Sequence, residues 1–311
     1  MKLDYFDVQL ESERYFAGQV VSGSLVLNAT QAVKLERILV KLIGQSHTGW
    51  VNKTSDVIYE SNEELLHETL DLTSYLAQFG DGELLPEGTH TVPFKFQLPT
   101  HLPSSAFNEH FGWVRYSCSG LLHVAKASCL PFFGSHNNEV VCEKALSILA
   151  VVNLASPNFR QPCSISDQVE LVGCCRSEGV ISATLSLPES GYLPGELVRA
   201  QVKLDNGTRK KQPHCPVLAL CQRLHFKAQN RYEMELYDRK ELTCCMESAG
   251  MAHAEPRVGP VIKEVDIPIP PDVAPSSVIE GLVTISYFLK LEMDLFELVV
   301  PIVVGNTGKP F

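Results

Sequence analysis

Tyr15-Phe16-Ala17-Gly18-Gln19-Val20-Val21-Ser22-Gly23-Ser24-Leu25-Val26-Leu27 returns, 177 residues further on, as Tyr192-Leu193-Pro194-Gly195-Glu196-Leu197-Val198-Arg199-Ala200-Gln201-Val202-Lys203-Leu204. Solenoid units run about 20–50 residues, so this period is the length of a whole domain. Further landmarks recur in the same order. Phe94-Lys95-Phe96-Gln97-Leu98-Pro99, Pro103-Ser104-Ser105 and Tyr116 are echoed by Val265-Asp266-Ile267-Pro268-Ile269-Pro270, Pro275-Ser276-Ser277 and Tyr287. The reading is a tandem pair of related domains, 1–152 and 167–305, joined by a linker at 153–166 and followed by a frayed end at 306–311. Ser156-Pro157 and Gln161-Pro162 in the linker disfavour helix.

The repeated stretch also predicts its own local structure. Val198, Ala200, Val202 and Leu204 alternate with Arg199, Gln201 and Lys203, the period-two pattern of a strand with one buried face. Val21, Gly23, Leu25 and Leu27 hold the same parity in the first copy, so both strands share a register. Gly18 and Gly195 precede them where a turn needs positive φ. Asn206-Gly207 predicts a tight turn.

More strands are expected at Ile38–Ile43, His90–Leu98, Gly112–Lys126, Ala145–Val152, Gly179–Leu187, Pro216–Lys227, Val261–Ile267, Gly281–Met293 and Phe296–Val304. Gly and Pro punctuate them, 20 and 19 in number. The fold class is therefore all-β: two immunoglobulin-like β-sandwich lobes with little helix. Ser61–Leu76 shows only a partial 3.6-residue stripe (Leu65, Leu66, Leu70, Leu72), so helix is the minor reading there. Glu241–Glu255 reads as a mobile loop.

The chain of 311 residues carries a net charge of −10. That balance argues against nucleic-acid binding, which needs a basic surface to neutralise phosphates. The densest basic run, Arg209-Lys210-Lys211, reads as a solvated turn. The start, Met1-Lys2-Leu3-Asp4, lacks the apolar core of a signal peptide, and no stretch is long and apolar enough to be transmembrane. A cytoplasmic location is the resulting expectation. In a reducing compartment the 10 cysteines read mostly as small buried hydrophobes, and the Asn-x-Thr sites as unglycosylated.

No catalytic or metal constellation stands out. Gly80-Asp81-Gly82 lacks a dinucleotide fingerprint, Ser46-His47 lacks a nucleophile elbow, and neither Cys-x-x-Cys nor His-Glu-x-x-His occurs. No catalytic, cofactor or metal residue is assigned, and the expectation is a non-enzyme without cofactor. In each vicinal pair, Cys174-Cys175 and Cys244-Cys245, one thiol is expected buried and one exposed. Cys244 and Cys245, in the expected loop, are candidate accessible thiols, with strand filling as the plain alternative.

Taken together, the two Tyr-x-x-Gly openings, Phe94–Pro99 with Pro103-Ser104-Ser105 and Phe111-Gly112-Trp113-Val114-Arg115-Tyr116, Cys174-Cys175 before Gly179–Ala183, and Pro301–Gly305 resemble the arrestins. The closer resemblance is to the α-arrestins, the arrestin domain-containing proteins. That resemblance implies a cytosolic adaptor in membrane-protein trafficking and signalling. It would bind tails of receptors and transporters, be recruited to plasma membrane or endosomes, and link cargo to HECT-type ubiquitin ligases and endocytosis.

The family engages those ligases through Pro-Pro-x-Tyr motifs in a C-terminal tail. Here the sequence stops just after the second lobe, and its one Pro-Pro, Pro270-Pro271, continues as Asp272-Val273. Either a tailless member or a core fragment fits. One member type forms a cysteine link to thioredoxin, but no local motif carries that function over. By analogy with phosphate sensing in classical arrestins, Lys2, Arg14, Arg115 and Lys126 are candidate phosphate or cargo contacts, with ordinary surface charge as the alternative. Other readings are an arrestin-fold subunit of an endosomal sorting complex and an enzyme with an unrecognised site.

Overall fold

A computed structural model describes residues 3–80, 84–125, 139–172, 177–207, 216–233, 236–251 and 259–307. Lys2, Lys126, Cys174, Cys175 and Arg209–Lys211 lie outside them, as do residues 81–82 and the residues following Gly207 at the expected turn. The chain divides into two compact units, 1–150 with 228–238, and 151–227 with 239–311.

The first unit carries β1 (Leu3–Leu10), β2 (Arg14–Phe16), β3 (Val20–Ala29), β4 (Val33–Asn52) and β5 (Val57–Asp71). A 3-10 turn at Thr73–Phe79 leads to β6 (Leu84–Leu85), β7 (Gly88–Gln97), β8 (Ala106–Asn108), β9 (Gly112–Val124) and β10 (Glu139–Leu149). Among the described residues, one sheet runs β1-β3-β7 and the other β2-β10-β9-β4-β5, with β6 on β4 and β8 on β9. The neighbouring pairs are antiparallel except β2, which lies parallel to β10. Val21, Leu25 and Leu27 of β3 and Phe94 and Phe96 of β7 are buried, as are Ile38, Val40, Leu42, Tyr116, Leu122 and Ile148 of the second sheet. The inward faces meet closely. A Cβ on Gly120 would stand 2.6 Å from Leu25 Cδ2 and 2.9 Å from Phe6 Cζ, so only glycine lets the sheets approach there.

The second unit carries β11 (Cys163–Val172), β12 (Ser177–Leu187), β13 (Gly191–Tyr192), β14 (Leu197–Asn206) and β15 (Val217–Gln229). Then come β16 (Tyr237–Gly250), β17 (Gly259–Pro268), β18 (Val283–Glu292) and β19 (Glu297–Val304). Its sheets run β11-β12-β14-β17 and β13-β19-β18-β15-β16. The repeated sequence thus produces a repeated topology: a short strand parallel to the last strand (β2 on β10, β13 on β19), then the alternating strand (β3, β14) in the opposite sheet. Val198, Ala200 and Val202 are buried, and their polar neighbours Arg199, Gln201 and Lys203 are exposed.

The Tyr-x-x-Gly opening has a physical reason in both copies. Gly18 and Gly195 have φ of 83° and 85°, a region side-chain-bearing residues avoid. The next side chain folds back over the turn: Phe16 N donates to Gln19 Oε1 at 2.9 Å, and Leu193 N to Glu196 Oε2 at 2.7 Å. Gly18 N donates to Pro99 O and Gly195 N to Ile269 O, which ties each turn to the strand that closes the sheet. The paired serines recur too. Ser104 Oγ accepts from Ala150 N and Ser276 Oγ from Val304 N, each at 2.9 Å.

As the weak stripe implies, Ser61–Leu76 is not α-helical: β5 runs to Asp71 and only a 3-10 turn follows. Several other local expectations are corrected. Residues 241–250 are not a loop but belong to β16. Both Cys244 and Cys245 are exposed, because β16 is the last strand of its sheet and so covers little on either face. Within 153–166, Pro157–Arg160 make a 3-10 turn and Cys163 opens β11. Asn306 and Thr307 are not frayed: Val152 N donates to Asn306 Oδ1 at 2.9 Å, and Asn306 N to Val152 O at 3.0 Å.

Candidate functional site

The outward face of the first unit's larger sheet holds an open groove of 1280 Å³. Strand alternation puts its walls there. On β9, Val114 and Tyr116 point into the core while Trp113, Arg115 and Ser117 point out. Register then aligns neighbours on the same face. Gln45 of β4 lies opposite Arg115, Ile43 opposite Ser117, and Ala145 of β10 opposite Ser117. Arg14 of β2 lies opposite Ser147. β8 adds a rim by pairing Phe107 with Trp113.

Arg115 is the centre of the groove. Its guanidinium carbon lies 4.8 Å from the Phe107 ring centroid and 4.9 Å from that of Trp113. Both distances are within cation–π range. Trp113 in turn lies 5.6 Å from the His47 ring, and His47 Nδ1 is 2.8 Å from Asn62 Oδ1. Phe107 is 61% exposed, an apolar surface held beside a cation. The stack fixes the arginine fork without using up its planar donors.

Two further cations line the groove, Arg14 and Lys144, along with the acids Glu13 and Glu143. Lys144 Nζ reaches Glu13 Oε1 at 3.9 Å, with the two side chains 46% and 86% exposed. An ion pair that open is weak, so Lys144 can exchange Glu13 for another anion. Ser12, Ser105, Ser117 and Ser147 also line the groove. The arrangement suits an extended polar chain bearing negative charge, with an apolar side chain placed against Phe107.

Tyr116 anchors the groove floor from beneath. Its hydroxyl donates to Pro103 O at 2.8 Å, and burial, with a smaller contribution from Glu63, raises its pKa. Burial likewise pushes Cys118 up to about 12 and Cys142 up to about 11, so both are packed thiols. Among the described residues no group of three or more His, Cys, Asp or Glu is placed to hold a metal ion. No helix among them is long and apolar enough to cross a membrane.

Of the residues singled out in the sequence, Arg14 and Arg115 come together in this groove. Lys2 and Lys126 lie outside the described residues. Cys244 and Cys245 sit on β16, in the second unit. The sequence points to Trp113 only as part of the Phe111–Tyr116 motif, and to Lys144 and Phe107 not at all. The alternation Trp113-Val114-Arg115 carries a signal for an exposed aromatic–cation pair, but nothing local ties Phe107 or Lys144 to it.

Residues 5–155 match the arrestin (or S-antigen) N-terminal domain, and residues 177–307 match its C-terminal domain. Arrestin domain-containing protein 17 of Caenorhabditis elegans is 29% identical over 230 residues, which cover 68% of this chain and 50% of that protein. Arrestin domain-containing protein 15 of the same organism is 24% identical over 318 residues, covering 99% and 80%. Arrestin domain-containing protein 1 of Rattus norvegicus is 27% identical over 314 residues, covering 98% and 65%. The match thus spans between half and four-fifths of these relatives' lengths. The two domain matches, in the order and at the spacing of the repeated sandwiches, establish that the chain belongs to the arrestin family, among the arrestin domain-containing proteins.

Proposed function

We propose that this chain is a non-enzymatic adaptor whose first lobe holds an extended, negatively charged segment of a membrane protein in the groove around Arg115. The observation that carries this reading is the cation–π contact of Arg115 with both Phe107 and Trp113, in a groove that is also lined by Arg14 and Lys144. Charge-assisted hydrogen bonds from a planar guanidinium suit phosphate or carboxylate groups. The peptide lies across the strands or extends along them, as extended peptides do on sheet surfaces. Family resemblance supplies the class of partner, receptor and transporter tails.

Sorting at plasma membrane or endosomes and recruitment of HECT-type ubiquitin ligases are proposals about the whole protein. The division into lobes at 1–152 and 167–305 is likewise a proposal, with β11 beginning inside the expected linker at 153–166.

The test is a panel of fluorescent receptor and transporter tail peptides, each phosphorylated and unphosphorylated, titrated with the protein and read by anisotropy. Binding of phosphorylated or acidic tails that weakens in Arg115→Ala supports the reading. Equal binding by wild type and Arg115→Ala would remove the groove from it.

A further inference from the structure

We infer that Cys221 and Cys245 are a disulfide-forming pair, joined across two neighbouring strands when a hydroperoxide oxidises the chain.

Strand register places the two cysteines opposite one another. β15 and β16 are neighbours in the sheet. Arg223 Nε reaches Thr243 Oγ1 at 3.2 Å, and His225 Nδ1 lies 3.1 Å from Glu241 Oε1. Each step of two back along β15 therefore meets a step of two forward along β16, and the next pair is Cys221 with Cys245. In the reduced chain the Cys245 thiol donates to Glu247 O at 3.6 Å, a weak contact that a disulfide would replace.

The side chains share a face. Arg223 stacks over Phe288 at 4.6 Å, and Cys221 packs in the same small cluster with Ala219 and Phe288. Cys245 follows Thr243 on that face. Cys244 points the other way, so the vicinal Cys244-Cys245 pair is not the pair that closes.

The strand pairing also suits the bond. Asn230 N donates to Leu236 O at 2.8 Å near the hairpin's turn. Counting by two from that hydrogen-bonded pair makes 222 with 244 a hydrogen-bonded pair and 221 with 245 a non-hydrogen-bonded one. Such pairs place their Cα atoms about 4.5 Å apart, inside the range of about 4.4–6.8 Å that a disulfide spans.

Exposure assigns the two roles. Cys245 is exposed, whereas Cys221 is 4% exposed. The Cys245 sulfur attacks the peroxide, which gives a sulfenic acid and one water. The Cys221 sulfur then attacks the Cys245 sulfur. The S–S bond forms, the S–O bond breaks, and hydroxide takes the Cys221 proton to leave as a second water. Two thiols and one hydrogen peroxide thus give one disulfide and two waters, with both sulfurs oxidised and the peroxide reduced. Burial, followed by the proximity of Cys245, raises the Cys221 pKa, which makes Cys221 a poor first nucleophile toward peroxide.

The test uses the full chain with Cys215→Ser and Cys244→Ser. Cys215 shares a tryptic peptide with Cys221, and Cys244 shares one with Cys245. After treatment with hydrogen peroxide, unfolding and thiol counting, the expected result is a loss of two thiols per chain. A tryptic peptide joining Cys221 to Cys245 should appear and be reversed by dithiothreitol. Adding Cys245→Ser, an exposed and structurally mild change, should abolish both. The inference is overturned if Cys245 advances to sulfinic acid with no link to Cys221, or if the loss of two thiols persists in Cys245→Ser.

Discussion

The guanidinium of Arg115 lies 4.9 Å from the ring centroid of Trp113, two residues away on the same outward face of one strand. The Phe107 ring centroid lies at 4.8 Å, so two aromatic rings are within cation–π range of this cation on the groove side of the sheet. Arg115→Lys keeps the charge and loses the stacked plane. Tail-peptide affinity should then fall about 2–5-fold, the worth of an exposed cation–π contact of about 0.5–1 kcal/mol. Arg115→Ala should cost more, about 10-fold or above, because a charged hydrogen bond is worth about 1.5–3 kcal/mol. Peptide titration by anisotropy reads both. Lysine matching wild type would contradict the stacking argument.

Tyr116 and Tyr287 occupy matching places in the two lobes. Each donates its hydroxyl to a carbonyl 13 residues back, Tyr116 to Pro103 O at 2.8 Å and Tyr287 to Ala274 O at 2.6 Å. Removing one hydroxyl should cost about 1–3 kcal/mol, since a buried carbonyl loses its donor. Urea unfolding of Tyr116→Phe and Tyr287→Phe measures this.

The same two tyrosines set an alkaline limit. Burial raises Tyr287 to about 12, and also raises Tyr116. A group whose folded pKa is raised contributes its stability in full below the unfolded value, about 10. That stability is lost as pH climbs through the folded value. Stability should therefore fall between about pH 10 and 12, and the double Phe variant should fall less steeply. Phenolate absorbance that develops only with unfolding is the readout. Both tyrosines titrating near pH 10 in the folded protein would refute it.

Gly195 isolates the cost of the repeated turn. Its φ is 85°, and a Cβ there would meet no heavy atom within 4 Å. Gly195→Ala should thus lose about 1–2 kcal/mol from backbone conformation alone, and Gly195→Asn less. Gly18→Ala should lose somewhat more, because its Cβ would also press on Thr100 Cγ2 at 3.2 Å.

Ser46 makes the opposite case. It is 3% exposed, and its hydroxyl has no hydrogen-bond partner among the described residues. Ser46→Ala removes a desolvated polar group from the inward face of β4, so it should leave stability unchanged or raise it by up to about 1 kcal/mol. A clear loss in urea unfolding would show that the hydroxyl is satisfied in solution.

The fold was legible where one face of a strand is buried. Val198, Ala200 and Val202 alternate cleanly because the sheet behind β14 hides every second residue. β5 and β16 escaped for the converse reason: each ends its sheet's strand order, and most of their residues are exposed on both faces, so no period-two signal is imposed on Glu60–Glu68 or Thr243–Glu247. The groove was half legible. Arg14 and Arg115 lie in or beside recurring motifs, whereas Phe107 and Lys144 join them only through pairing across β8, β9 and β10. Likewise the Cys221–Cys245 pairing depends on the register of a hairpin, which the vicinal cysteine motif does not reveal.

The most direct test of the central claim is hydrogen–deuterium exchange with a saturating phosphorylated receptor-tail peptide. The account predicts slowed exchange at residues 12–17, 105–108, 113–117 and 143–147, with little change when Arg115→Ala is used at the same peptide concentration. Protection confined to the second lobe, or undiminished in Arg115→Ala, would contradict it.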